Sequence, residues 1–315
     1  MIKYSVIIPT VTIGNRFITA LDRIVKQDYK NKFEIIVIID NTSIPIAQGI
    51  NNLFRKDVKS KFIRIIQNKK NIGLTKSLNK AIMSAKGKFI IRNDEDDFSA
   101  INRITTIDRI IKNNKNVKFI SSNYILNNGL FLKKRKLNIS IRNISKILKF
   151  KNPIAHSTTC FEAKLFKKLG GYNETLKVSQ DFELWSKFIY DDSNHYYHIR
   201  DYLVEISIRH NSISKIYSDS QKANSTLIAL KNNFRTKLYY DDYGNFSRLS
   251  EYFKNIDSKN LTPIQNKFNA LLFCYLPNKK NKSYKFNIKV LINICHIYYY
   301  YPNLFVKMLF GKLYT

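Results

Sequence analysis

A chain of 315 residues holds one large domain, or one domain with an extension, and 44% hydrophobic residues with 21 Phe and 20 Tyr are ample for a core. Against 23 acidic residues stand 54 basic ones, a net charge of +31 and a pI near 9.9. That balance admits nucleic acid, anionic lipid headgroups or a plain bias toward Lys, Asn and Ile, and no finger, RNA-recognition or homeodomain pattern supports the first. Cys160, Cys274 and Cys295 are odd in number and widely spaced, which supports neither a disulfide framework nor a zinc site and fits a reducing cytoplasm.

Met1-Ile2-Lys3-Tyr4 runs straight into a strand and lacks a signal peptide's apolar core and cleavage site. No stretch reaches the ~18 to 20 apolar residues of a spanning helix. Tyr4 to Pro9 is β-branched and apolar, the pattern of a buried parallel strand. After a turn over Thr10 to Asn15, Phe17, Ile18, Leu21, Ile24 and Val25 recur at helical spacing. Glu34 to Ile39 reads as a second buried strand ending at Asp40-Asn41-Thr42-Ser43, followed by a polar helix and a third strand at Phe62 to Ile66. Leu74, Leu78, Ala81, Ile82 and Ala85 trace the inner face of the next helix, which stops at Gly87. Phe89 to Ile91 is strand four. This alternation predicts an α/β fold with a mostly parallel, right-handed sheet.

Strand four runs at once into four carboxylates, Asp94, Glu95, Asp96 and Asp97, flanked by Arg92 and Arg103. A solvated acidic loop is one reading. The other is a cation site, because carboxylates this close repel unless an ion such as Mg²⁺ or Mn²⁺ sits on them. The end of a buried strand is where open sheets build sites, and the two arginines neutralise the run on either reading. A helix follows over Ile101, Ile104, Ile107 and Ile111, capped by Ser99, then a strand at Val117 to Ser121. Tyr124 to Leu132, with Asn127-Asn128-Gly129 at its centre, reads as a hairpin. The run Lys133-Lys134-Arg135-Lys136 is its solvated end, or a holder for a phosphorylated acceptor. Asn152 to Phe161 is extended, Gly170-Gly171-Tyr172 a turn, and Asp181 to Tyr190 a short helix.

From about Ser212 the pattern is helical. Ile288, Leu291, Ile292, Cys295, Tyr298 and Tyr299 share one face after Lys279, Lys280, Lys282, Lys285 and Lys289. Pro302 breaks the segment, and Leu304, Phe305, Met308 and Leu309 resume it. The pattern suits a helix lying in a membrane interface, or one packed on the domain.

Three polar clusters would gather at the sheet's C-terminal edge: Asp40 with Asn41 and Ser43, the acidic run, and Gln180-Asp181 ahead of Leu184-Trp185. With Ser5-Val6-Ile7-Ile8-Pro9-Thr10, Gln27 and Tyr29, Asn71-Ile72-Gly73, Asn79, Ala85-Lys86-Gly87, Asn152-Pro153-Ile154-Ala155-His156, Gly170-Gly171-Tyr172 and Arg209-His210, these pieces occur in one order over residues 4 to 215. In that order the chain resembles a family 2 glycosyltransferase, an inverting nucleotide-sugar enzyme of the GT-A fold, of the bacterial surface-polysaccharide type.

The resemblance implies a GT-A catalytic domain over residues 1–215, with a nucleotide-binding half at 1–100 and an acceptor half at 101–215, and a helical C-terminal region at 216–315. It implies Asp94-Glu95-Asp96 as an Asp-x-Asp motif, with Asp96, Asp94 and His210 toward Mn²⁺ or Mg²⁺. Pro9, Thr10, Asp40, Asn71, Gly73, Asn79, Asp94 and Arg209 would bind a nucleotide-diphosphate sugar, a UDP-sugar by preference. Asp181 would be the general base, and Trp185, His156 and Gln180 would meet the acceptor, a glycan carried on lipid. Bland alternatives stand beside these roles: a strand-end turn residue for Asp40, a helix N-cap for Asp181, a core residue for Trp185 and hydrogen-bonded structural imidazoles for the histidines.

Two positions depart from the family's habit. Ile39 precedes Asp40 where a second Asp is common, and Gln180 precedes Asp181 where Glu is common. The expected activity is transfer of one hexose-class sugar at the cytoplasmic face of a membrane. A non-catalytic nucleotide-sugar binder or scaffold of the same fold is the alternative.

Overall fold

A computed structural model describes residues 2–41, 62–137, 143–148 and 151–208, with a few positions between 216 and 232. The expected polar helix after Ser43, Arg209, His210 and the C-terminal segment lie outside the described residues. Met1–Ile216 with Asn224–Lys237 make one compact unit, and the description below is of that unit.

Strands β1 (Tyr4–Thr10), β2 (Glu34–Ile39), β3 (Ile63–Gln67) and β4 (Phe89–Arg92) are parallel, in the order β3-β2-β1-β4. Every residue of β1, β2 and β4 is buried, as expected of central strands covered on both faces. Helices α1 (Asn15–Val25) and α2 (Leu74–Met83) connect them, turning Phe17, Leu21, Ile24, Leu78 and Ile82 inward. In this register Thr10 stands opposite Ile39, and Ile7 opposite Arg92. The segments after β1, β2 and β4 therefore leave the sheet along one edge.

The second half completes a nine-stranded sheet. Its elements are β5 (Phe98–Ser99), α3 (Arg103–Asn113), β6 (Phe119–Asn127), β7 (Leu132–Arg135), α4 (Ile144–Ile147), a 3₁₀ turn at His156–Thr158, β8 (Cys160–Glu162), α5 (Ala163–Lys168), α6 (Gln180–Asp191) and β9 (Tyr196–Ser207). Strand order continues from β4 through β8, β6 and β9 to β5, with β7 paired to β6. Helix α3 begins two residues later than the apolar spacing suggests, and Ser99 does not cap it. The Ser99 hydroxyl instead donates to Asn93 Oδ1 at 2.8 Å and accepts from Arg103 at 2.8 Å. Strand β6 runs on to Asn127 because β7 and β9 both pair with it.

The hairpin falls where it was predicted. Gly129 takes a left-handed φ of 87°, Asn127 Oδ1 accepts its N–H at 2.7 Å, and Asn128 Oδ1 accepts from the N–H groups of Leu130 and Phe131. The basic run is not merely the end of this hairpin: Lys133 to Arg135 form β7 itself, an exposed strand.

Gly87 is fixed by contact rather than by φ. A Cβ there would lie 2.4 Å from Ser5 Oγ and 2.5 Å from Ser5 N. The Gly87 N–H also donates to Ser5 Oγ at 2.8 Å. Because backbone atoms of a central strand cannot yield, Gly87→Ala is expected to destabilise by about 3 kcal/mol, the upper end for overpacking. A urea unfolding midpoint equal to that of the parent would refute this close approach.

Candidate active site

The acidic loop is held from beneath by two fully buried guanidiniums. Arg92 donates to Ile7 O and Asn93 O, both at 2.9 Å, to His156 Nε2 at 3.1 Å, and through Nη2 to Asp94. Arg103 donates to Asn93 Oδ1, Ser99 Oγ, the Arg92 carbonyl at 2.9 Å and the Ser157 carbonyl at 2.5 Å. Asn93 Nδ2 closes the loop by donating to the carbonyls of Asp94 and Asp97. Arg92 and Arg103 thus do more than offset charge; their rigid forks shape the loop backbone.

The loop carboxylates divide by environment. Burial alone would raise the Asp94 carboxyl, yet the Arg92 charge and the Ser157 hydroxyl, 2.7 Å from Oδ2, hold it below its ordinary value. Asp97 is buried and accepts the Ser207 N–H at 3.0 Å. Burial, then the charges of Asp94 and Asp96, push Asp97 up to about 8. Glu95 turns toward β1, where the Thr10 hydroxyl lies 2.6 Å from its Oε2. Asp96 is half-buried, and its carbonyl accepts from the Ser207 hydroxyl at 2.6 Å.

Asp40, at the end of β2, is 5% exposed and answers three donors: Asn68 Nδ2 at 2.8 Å, Ile72 N at 2.8 Å and Gly73 N at 2.7 Å. Its carboxylate is committed to the loop bearing Asn71 and Gly73, where Gly73 takes a φ of 87° before α2. Asn79, expected among the nucleotide contacts, is engaged by a turn of the second half. Asn79 brackets the Gly171-Tyr172 turn, accepting from Tyr172 N at 3.0 Å and donating to Tyr172 O at 2.9 Å and Glu174 at 3.0 Å. Pro9 and Thr10 are buried at the end of β1 beside Glu95.

Asp181 lies in the first turn of α6, just after Ser179, a non-glycine residue at φ 63°. Such a conformation costs about 1 to 3 kcal/mol and persists only where surroundings enforce it. The N-cap position is Ser179, so Asp181 is not the cap. Burial pushes its carboxyl up to about 6, against the lowering effect of backbone N–H groups and of Asn152, with the Asp94 charge adding to the rise. Asn152 Nδ2 donates to Asp181 Oδ2 at 2.9 Å. Five residues on, Ser157 binds Asp94. One short segment therefore holds both carboxylates, and extended backbone at roughly 3.5 Å per residue keeps the Cα atoms of Asn152 and Ser157 within about 18 Å of each other.

His156 belongs to the same segment. Its Nε2 faces the Arg92 Nε–H and, at 2.7 Å, the Tyr172 hydroxyl. Burial and the Arg92 charge lower its pKa to about 3, so the imidazole is neutral and accepts. Trp185 does not offer a stacking face. It is 0% exposed and packs at 4.9 Å on Phe119, with Phe161 and Phe188 around it. Gln180 is 6% exposed, and its Oε1 has no hydrogen-bond partner among the described residues. Pro153 and Ile154 also wall a cavity of about 100 Å³ with Ser122, Tyr124, Arg135 and His198.

Sequence reasoning missed Ser157, Tyr172 and Ser207 as site-shaping residues. Asn152 and the double glycine were visible as motif pieces, but their partners were not.

A model described as glycosyl transferase family 2 matches residues 5–170. The chain is 28% identical over 242 residues to an uncharacterised glycosyltransferase of Methanocaldococcus jannaschii, covering 75% of this chain and 81% of that one. It is 29% identical over 178 residues to the O-antigen biosynthesis glycosyltransferase WbnJ of Escherichia coli, covering 56% and 67%. Among solved structures, S. aureus TarS 1-349 in complex with UDP-GlcNAc is similar at a TM-score of 0.60 and 18% identity, covering 88% and 82%. The mannosyltransferase PcManGT from Pyrobaculum calidifontis, in complex with GDP-Man and Mn²⁺, reaches 0.55 at 15% identity, covering 98% and 88%. At such identities these two structures speak to the fold.

Proposed function

The chain belongs to glycosyl transferase family 2, and on that premise we propose that it moves one sugar, with inversion, from a nucleotide-diphosphate donor to a glycan acceptor. The observation that carries this reading is the segment from Asn152 to Ser157, which ties a raised carboxylate, Asp181, to a lowered one, Asp94. Two acids with pKa values driven apart are the arrangement expected when one must accept a proton and the other must stay charged. Asp181 takes the proton of the acceptor hydroxyl. That oxygen attacks the anomeric carbon from the face opposite the diphosphate, whose bond to carbon breaks with its electron pair.

The loop supplies only carboxylate oxygens, the donor type of Mg²⁺ or Mn²⁺. Among the described residues no three acidic, His or Cys side chains converge on one point, so Asp96 and Asp94 would hold the ion together with donor phosphates. When bound, such an ion neutralises charge on the departing diphosphate. On the nucleotide side, Pro9, Thr10, Asp40, Asn71 and Gly73 frame the edge above β1 and β2. A UDP-sugar is the first donor to try, in keeping with the UDP-GlcNAc complex of TarS. We further place His156 and Gln180 toward the acceptor, and the reaction at the cytoplasmic face of a membrane on a lipid-linked glycan. The basic, aromatic C-terminal sequence and the O-antigen assignment of WbnJ support that setting.

The test is donor hydrolysis and transfer with UDP-, dTDP- and GDP-sugars in the presence of Mn²⁺. Turnover of one donor is expected, with Asp96→Ala reducing it at least about 100-fold, the scale of losing one electrostatic stabiliser of the leaving group. No turnover of any donor, or an Asp96→Ala variant as active as the parent, would overturn the reading.

A further inference from the structure

We propose that the β6–β7 hairpin is a docking element that seats its apolar tip in an anionic lipid surface. It deepens the membrane side of the proposed function and rests on that reading only for its setting, since neither donor nor acceptor enters the argument.

Leu130, Phe131 and Leu132 are consecutive and exposed by 91%, 60% and 62%. Scattered exposed apolar residues are ordinary; a contiguous run of large ones marks an interaction site. The Ile208 N–H donates to Asn127 O at 2.8 Å, which brings a fourth exposed apolar residue to the hairpin's base. The tip is built rather than slack, because Asn127 and Asn128 accept three of its backbone N–H groups.

Charge selects the occupant. Lys133, Lys134, Arg135 and Lys136 follow the tip at once, and β7 is exposed throughout. Between Asp108 and Glu162 the chain has twelve Lys and Arg and no Asp or Glu. A patch with an apolar point and a basic collar matches a headgroup layer, in which apolar side chains enter the acyl boundary and lysines meet phosphates. The chain's own C-terminal residues fit worse as a cover, because Lys279, Lys280, Lys282, Lys285 and Lys289 bring the same sign of charge.

The chain supplies its own probe. Trp185 is the only tryptophan and is fully buried, so Phe131→Trp adds one emitter at the tip. On vesicles of phosphatidylcholine with phosphatidylglycerol, that emission is expected to shift to shorter wavelength and to be quenched by acyl-brominated lipid. Joint replacement of Leu130, Phe131 and Leu132 by Ser is expected to lower vesicle partition at least about tenfold. Lys133→Gln and Lys134→Gln are each expected to lower it about fivefold on anionic vesicles. The unchanged Trp185 signal checks the fold of the serine variant.

Three results would overturn the proposal. One is a vesicle-bound Phe131→Trp protein that escapes quenching, which would leave binding to other basic segments. Another is an added tryptophan already blue-shifted without lipid, which would mean that protein covers the tip. The third is a serine variant that partitions like the parent. Because vesicle binding is measured without sugar nucleotide, loss of the transferase reading and loss of this one are separate outcomes.

Discussion

Asp181→Asn is expected to lower kcat by about 10²- to 10⁴-fold, the usual worth of a general base, with donor affinity within a few-fold of the parent. Asn keeps the size of the side chain and an oxygen to accept from Asn152, but it cannot take a proton. The pH profile is the sharper readout. With the carboxyl raised to about 6 by burial, kcat/KM of the parent should climb tenfold per unit below that pH and level above it. The variant should lack this limb, and a variant that retained it would place the base elsewhere. Stability moves the other way. A carboxyl that binds its proton more tightly when folded adds stability fully present below its unfolded pKa of 3.8 and lost as pH rises through about 6. Above pH 6 the Asn variant should therefore unfold at higher urea than the parent, a stability gained by removing a catalytic group.

The first half of the fold was legible because β1, β2 and β4 are buried on both faces, and such strands read as unbroken runs like Ile35-Ile36-Val37-Ile38-Ile39. Chain order then fixed where their ends go. The GT-A fold implied by the motifs is the fold observed, and Asp94 and Asp181 were found in sequence as polar residues just past a strand and at a helix start. What the sequence hid were pairings between distant residues. Asn79 has the composition of a ligand contact, yet its partner lies 93 positions away in Tyr172. Trp185 could be read as platform or core, since one aromatic residue on a helix carries no face label until Phe119, Phe161 and Phe188 surround it. Ser99 had the chemistry of a cap, but buried Asn93 and Arg103 take its hydroxyl instead of the helix. A run of Lys and Arg after a turn likewise gives no hint that it is an edge strand bearing an exposed apolar tip.

Arg92→Met is expected to strike the fold and the acidic loop together. The guanidinium is fully buried and serves four acceptors: Ile7 O, Asn93 O, His156 Nε2 and Asp94. Methionine fills much of the volume but donates nothing. Asp94 is one-third exposed and can find water, whereas two backbone carbonyls and a neutral imidazole would stay buried without partners. Each such group costs about 1 to 3 kcal/mol, and breaking a buried pair by removing one member costs about 3 to 5 kcal/mol. Since these overlap, the lower end of the second range is the expected loss. At about 2 to 4 °C per kcal/mol for a unit of this size, thermal unfolding should come roughly 10 °C earlier. Arg92→Lys should rescue little, because one ammonium cannot reach acceptors spread around a planar fork. Donor affinity should fall with it, as Asp94 loses the partner that aims it. Calorimetry of both variants beside a donor titration decides the matter: a lysine variant with the parent's melting temperature would show that Arg92 supplies charge alone, and that the loop keeps its shape without the fork.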